Sequence, residues 1–190
     1  DKTGTLTFGR PEVQAVVAAA DVSAEDLLDA AAAAELRSEH PLGKAIIAHA
    51  KAQGRPVAEP EHFAYTPGRG IAAKVADSTI LVGNQAWMRD NGVAITAPLN
   101  VGVEAASEVY VARGGVLLGA IAVADTVRPE AKRAIESLTA LGIRTILITG
   151  DALPVAQAVG RSLGIKEIEA GLLPEDKLAR IQALIQQKRT

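Results

Sequence analysis

Apolar and polar positions follow two different rhythms along this chain of 190 residues. In the first, short helices alternate with stretches of period two. After a break at Gly9-Arg10-Pro11, the apolar run Val13–Ala20 predicts a strand. Ser23, with Glu25 and Asp26 behind it, predicts the N-cap of a helix over Ala24–Arg37. Pro41 opens a second helix in which Leu42, Ala45, Ile46 and His49 recur at helical spacing, and Gly54 closes it. From Glu61 the period changes. Phe63 and Tyr65 alternate with their neighbours, Pro67-Gly68-Arg69-Gly70 makes a tight turn, and Ile71–Val75 with Thr79–Val82 form a hairpin around Ala76-Asp77-Ser78. Asn84 caps a short helix through Met88 that ends near Gly92. Ala94–Ala106 predicts a loop followed by a short helix. Val109–Ala112 and Val116–Ala124 flank Gly114-Gly115, a hairpin signal.

The second rhythm begins at Pro129, which opens a helix carrying Ala134, Ile135, Leu138 and Leu141 and stopping at Gly142. Arg144–Ile148 reads as a buried strand, followed by Thr149-Gly150-Asp151. A helix over Ala152–Leu163 stops at Gly164, a short strand lies near Glu167–Ala170, and Pro174 opens a last helix with Leu178, Ile181, Leu184 and Ile185 on one face. Helices alternating with buried strands predict βα units on a parallel sheet. Sites in such sheets lie beyond the carboxyl ends of the strands, where Thr149–Asp151 falls. The expected fold class is α/β: an α+β domain over 12–124, with an antiparallel sheet and flanking helices, inserted into a parallel α/β domain made of 1–11 and 125–190.

Composition narrows the class. The chain is 48% hydrophobic but only 3% aromatic, so its core is built from Ala, Val, Ile and Leu. A net charge of −2 with scattered basic residues excludes a nucleic-acid footprint. With no cysteine, disulfides and thiolate metal sites are excluded. The start shows no signal-peptide pattern. The longest apolar runs fall well short of the ~20 residues that a membrane span needs. The expectation is a soluble, monomeric piece, compatible with membership of a larger membrane protein.

Candidate chemistry starts at the first seven residues, Asp1-Lys2-Thr3-Gly4-Thr5-Leu6-Thr7. One carboxylate followed by lysine, threonines and glycine suits a loop that grips an anion beside a nucleophilic or metal-binding aspartate. Thr149-Gly150-Asp151 after an apolar strand is an N-capped turn or an anion loop. Lys177, near the start of the last helix, is a solvated cation or a phosphate ligand. His40 sits at a helix junction beside Glu35 and Glu39, and a G-x-G pair, Gly68 and Gly70, sits in a turn.

Together these resemble a known set. DKTGTLT matches, letter for letter, the phosphorylation motif of P-type ATPases, and Ser38-Glu39-His40-Pro41-Leu42 resembles the signature of the heavy-metal-transporting branch. The resemblance covers nearly the whole chain and implies a nucleotide-binding domain inserted in a haloacid-dehalogenase-like phosphorylation domain. It implies that Asp1 is phosphorylated from ATP, that Asp1 and the Thr3 carbonyl help hold Mg²⁺, that Thr149 contacts the phosphate and that Lys177 neutralises it. It places His40 at the adenine with Glu35 at its polar edge, Glu39 being the rival, and Gly68, Gly70 and Asn84 along the nucleotide. Asp125 and Arg128 resemble the return segment, as hinge or phosphate-side residues. The implied cofactors are ATP and Mg²⁺, the implied partners are the transmembrane and actuator domains of the same pump, and the implied place is the cytoplasmic face of a membrane. The stretch Ile80–Met88 with Asn91-Gly92-Val93 is more similar to copper than to zinc transporters. The family's preceding strand and its later G-D-G-x-N-D loop are absent here, so weak or no turnover by this piece is expected. The alternatives are a soluble haloacid-dehalogenase-type phosphatase, which would carry an acid where Thr3 stands, and a non-enzymatic nucleotide-binding module.

Overall fold

The computed structural model describes residues 2–95, 99 and 101–186. The chain divides into two compact units, one of Asp1–Arg10 with Asp125–Thr190 and one of Pro11–Ala124. Two long strands, β1 (Thr7–Ala18) and β6 (Val116–Val127), run across that boundary.

In the 11–124 unit, α1 (Ala24–Glu35) begins as its sequence predicts: the Asp26 N–H donates to the Ser23 hydroxyl at 3.0 Å. α2 (Pro41–Ala52) follows. Then come β2 (His62–Thr66), β3 (Gly70–Val75), β4 (Ser78–Gly83), α3 (Gln85–Asp90) and β5 (Ser107–Arg113). The sheet order is β1-β6-β5-β4-β3-β2, so the first strand lies beside the last. From β2 to β6 each neighbouring pair is antiparallel. Period two divides the sheet's residues between two cores. Ile71, Ala73, Ile80, Val82, Val109 and Val111 pack with α1 and α2. Leu81, Tyr110, Ala112, Ala120 and Ala122 pack on the other face with Met88. Ala30–Ala34 are all buried, so the alanine run of α1 allows close packing on every side.

The other unit holds a wide turn over Lys2–Leu6, α4 (Ala131–Ala140), β7 (Ile146–Ile148), α5 (Leu153–Leu163), β8 (Glu167–Glu169) and α6 (Pro174–Gln186). β7 and β8 pair in parallel, as βα units require.

Three expectations need correction. Gly9-Arg10-Pro11 does not break the chain; β1 passes through it. Gly9 adopts φ +71, and a Cβ there would come within 3.3 Å of the Gly4 backbone. The N–H groups of Gly9 and Arg10 each find an Asp125 carboxylate oxygen at 3.1 Å. No helix forms over 101–106, where Ala105 takes φ +64; residues 96–98 and 100 lie outside the described residues. Finally, the helix expected from Pro129 starts at Ala131, without a side-chain cap.

Asp125 also lies 2.5 Å from the hydroxyl of Thr7, which is fully buried. Replacing Asp125 by Ala removes three hydrogen bonds; the Thr7 hydroxyl keeps the Lys2 carbonyl at 3.1 Å, and the Gly9 and Arg10 N–H groups lie at the surface. Urea unfolding of the variant is expected to show a loss of about 2 kcal/mol, the scale for hydrogen bonds to a charged group.

Candidate functional site

The sequence-predicted residues fall on both units, and each group is built within its own. In the 11–124 unit, Glu35 ends α1 and His40 caps α2. The loop between them is tied by the Ser38 N–H donating to the Glu35 carbonyl at 2.7 Å and the His40 N–H donating to the Ser38 hydroxyl at 3.2 Å. Pro41 has no N–H to offer, so the first α2 donor reached is the Leu42 N–H, which donates to His40 Nδ1 at 3.2 Å. With Nδ1 accepting, the neutral ring carries its proton on Nε2. Burial holds the His40 pKa below its ordinary value and so favours that neutral form.

Glu35 is 5% exposed, and its Oε2 has no hydrogen-bond partner among the described residues. Burial pushes its carboxyl up to about 7, against the opposing pull of a hydrogen bond with Ser38. Gly43 makes room for it: a Cβ there would sit 2.2 Å from Glu35 Oε2 and 3.0 Å from the Ser38 hydroxyl. Sequence reasoning missed Gly43. Its signal was a glycine inside a helix, which costs about 1 kcal/mol against alanine and asks for a steric reason. Glu39, the rival for the same role, is fully exposed, and its bond to Lys44 holds its pKa below the usual carboxylate value.

The glycine turn is fastened from α3. The Asn84 side-chain amide donates to the Gly68 carbonyl at 2.8 Å, and its oxygen accepts from the Trp87 N–H at 2.8 Å. Gly70 and Gly83 are cross-strand partners. A Cβ on either would lie 2.7 Å from Trp87 Cδ1, and the indole N–H donates to the Ile71 carbonyl at 3.1 Å. The indole therefore lies across the glycine pair, and together with the Val82 carbonyl, 2.3 Å from where a Cβ would be, it accounts for Gly70. Gly68 differs: nothing lies within 4 Å of where its Cβ would be. Its φ of +70 is what the tight turn requires of it.

In the other unit, Asp1 lies outside the described residues. Lys2 is 5% exposed, with its ammonium 3.0 Å from Asp151 Oδ2. Thr149 is buried too, and its hydroxyl donates to the same Asp151 oxygen. The Asp151 N–H returns a bond to Thr149 Oγ1 at 3.2 Å. Backbone bonds from Gly171 to the Asp151 carbonyl (2.8 Å) and from Leu172 to the Thr149 carbonyl (3.2 Å) fix this loop against the approach to α6. Thr3 is exposed in the opening turn, with Gly4 at φ 77 beside it. Lys177 sits in the first turns of α6, where Asp176 accepts from the Leu173 N–H at 3.0 Å. The structure thus joins Lys2 to Thr149 through Asp151, and Glu35 to His40 through Ser38. A cleft of about 660 Å³ also borders the opening turn. Its walls include Leu6, Ile135, Leu138, Ile143 and Ile146, which suit apolar packing rather than phosphate.

A family model for haloacid dehalogenase-like hydrolases matches residues 1–190. The chain belongs to that family. Within it, the chain is similar to the copper-exporting P-type ATPase of Vibrio cholerae serotype O1, at 40% identity over 194 residues, covering 100% of this chain and 21% of that protein. The chain therefore spans about a fifth of that relative. Among solved structures it is similar to a zinc-transporting PIB-type ATPase in its E2.Pi state, at 36% identity and a TM-score of 0.71, covering 98% of this chain and 31% of that one. It is equally similar in fold (TM-score 0.71) to the catalytic domain of the CPx-ATPase CopB-B, in a structure concerned with conformational changes upon nucleotide binding. There the identity is 28%, over 99% of this chain and 67% of that one. No helix among the described residues is long and apolar enough to cross a membrane.

Glu35 gives this haloacid dehalogenase-like chain a pH-dependent stability. Its folded pKa is raised, so the contribution is complete below the unfolded value of 4.5 and is lost as pH rises through about 7. Glu35→Gln removes the titration. Thermal unfolding is expected to favour the variant over the parent at pH 8 by up to about 3 kcal/mol, relative to their difference at pH 4, from the size of the shift.

Proposed function

We propose that this chain is the ATP-binding and phosphoryl-accepting region of a heavy-metal-exporting P-type ATPase. The observation that carries the reading is the buried Lys2–Asp151–Thr149 link, which ties the opening turn to the loop beyond β7. In this reading the turn that follows Asp1 and the loop beyond β7 are the two parts a phosphoryl-transfer site needs, and the link supports it by tying them to each other. In this reading the Asp1 carboxylate attacks the γ-phosphorus of ATP, ADP leaves, and the acyl phosphate is later hydrolysed. Thr149 and Lys177 meet the transferred phosphate. His40 and Glu35 hold the adenine, and the glycine turn at Gly68, fastened by Asn84, lies along the nucleotide.

Among the described residues no group of three His, Asp or Glu side chains is placed to hold a metal. Mg²⁺ asks for less: one or two carboxylates, with phosphate and water oxygens completing its shell. Asp1 and the Thr3 carbonyl fit that donor set, and the ion would neutralise phosphate charge there. The transmembrane and actuator domains of the same pump are the partners, on the cytoplasmic face of a membrane. Copper is the ion favoured by the Ile80–Met88 stretch and by the copper-exporting relative.

In the full-length protein, γ-labelled ATP is expected to label the parent and not Asp1→Asn. In the 190-residue chain, calorimetry is expected to show ADP binding that His40→Ala weakens about tenfold, the value of one net hydrogen bond. Labelling of Asp1→Asn equal to the parent would overturn the assignment.

A further inference from the structure

We propose that Trp87 is a positioning residue for the nucleotide: from behind the sheet it holds the turn Gly68–Ile71 in one shape. This deepens the reading above, in which that turn lies along the nucleotide, and rests on it. Two glycines among four residues give the turn wide backbone freedom. A ligand that docks on a loose turn must also order it, and the ordering subtracts from affinity. A turn held in advance by its own protein loses less on binding.

Every residue of the turn is tied to α3 or to its cap. The Gly68 carbonyl accepts from the Asn84 side-chain amide, and the Arg69 carbonyl accepts from the Asn84 N–H at 3.0 Å. The Arg69 guanidinium lies 3.4 Å from the Asp90 carboxylate. Gly70 lies under the indole, and the Ile71 carbonyl accepts the indole N–H. These ties differ in weight. Arg69 and Asp90 are both exposed, so their pairing adds little. The Asn84 amide acts at the surface, where water competes for it. Trp87 is half-buried and joins packing to a hydrogen bond, its ring on both glycines and its N–H reaching past them to Ile71. Its own backbone is fixed on both sides: its N–H donates to the Asn84 oxygen, and its carbonyl accepts from the Asn91 side chain at 2.9 Å.

The indole works from the far side of the sheet. Period two puts Gly70 and Gly83 on the same face as Ala72 and Leu81, the face that carries Met88. Glu35 and His40 belong to α1 and α2, which pack on the opposite face. Trp87 therefore acts on the nucleotide through the turn and not by touching the base.

The test uses the fact that Trp87 is the chain's only tryptophan, so its emission reads this contact alone. In the 190-residue chain the emission is expected to shift on titration with ADP, saturating with the affinity that calorimetry gives. Trp87→Phe keeps a ring across the glycines and removes the N–H. It is expected to weaken ADP binding about tenfold, the loss of one net hydrogen bond, at temperatures well below its melting transition. Combined with His40→Ala, the two losses are expected to multiply, because the residues share no partner and stand on opposite faces. Where Trp87→Phe does not fold, the parent's emission decides. An emission that stays constant while calorimetry shows ADP saturating the chain would overturn this inference alone. So would a Phe variant that binds ADP as tightly as the parent. A deficit that disappears on cooling would also overturn it, since that marks lost folding and not a displaced turn. No binding of ADP by the parent would overturn the nucleotide reading with it.

Discussion

An inserted unit leaves and re-enters its host through two strands, and something must hold those strands side by side. Here that is the sheet pairing of β1 with β6 and, at the bend in β1, the Asp125 carboxylate. One of its oxygens receives the Gly9 N–H and the Thr7 hydroxyl, the other the Arg10 N–H. The same segment contributes Arg128, whose backbone N–H reaches the Leu6 carbonyl at 2.8 Å and whose side chain donates to the Thr7 carbonyl at 3.1 Å. Its guanidinium lies 4.9 Å from the centre of the Phe8 ring, within cation–π range. A carboxylate that accepts backbone donors supplies what the sheet ladder loses where Gly9 turns to positive φ. The bend in β1 is thereby paid for locally, and the opening turn is anchored immediately before it.

The caps and hairpins were legible in the sequence because their causes are local. Ser23, Pro41 and Asn84 each act on residues within one helical turn. Gly114 and Gly115 take the positive φ values, 58 and 84, that a two-residue hairpin needs. Gly9 was misread because what satisfies it stands far along the chain, at Asp125. The short helix expected after the loop in Ala94–Ala106 does not form over 101–106, because weak apolar spacing gives no hint that Ala105 takes a left-handed conformation.

The candidate residues divide along the same line. Motif spacing pointed to Glu35 and Glu39 alike, and contacts separate them. Periodicity held an unused clue: Leu27, Ala31 and Glu35 follow one another at four-residue steps, and all three are buried. A carboxylate at the end of an apolar stripe is a carboxylate taken out of water. Gly43 and Trp87 act through contacts with other elements that no local pattern announces. Cross-strand carbonyls and the indole explain Gly70 and Gly83 by packing, while Gly68 is explained by the positive φ of its turn.

The opening turn is the place where counting charges from sequence misleads most. Lys2 reads as a ready cation beside a nucleophile. In the structure it is buried and spent on Asp151, which also takes the Thr149 hydroxyl. A buried pair of this kind adds little net stability, because desolvation offsets much of the attraction. Its stronger effect is geometric: one carboxylate fixes the lysine of the turn and the threonine beyond β7 with respect to each other. An arriving phosphate would compete with Asp151 for both donors rather than meet them idle. Both donors are thus already satisfied by one carboxylate within the unit, so neither the lysine nor the threonine stands as a free cation or hydroxyl beside the opening turn.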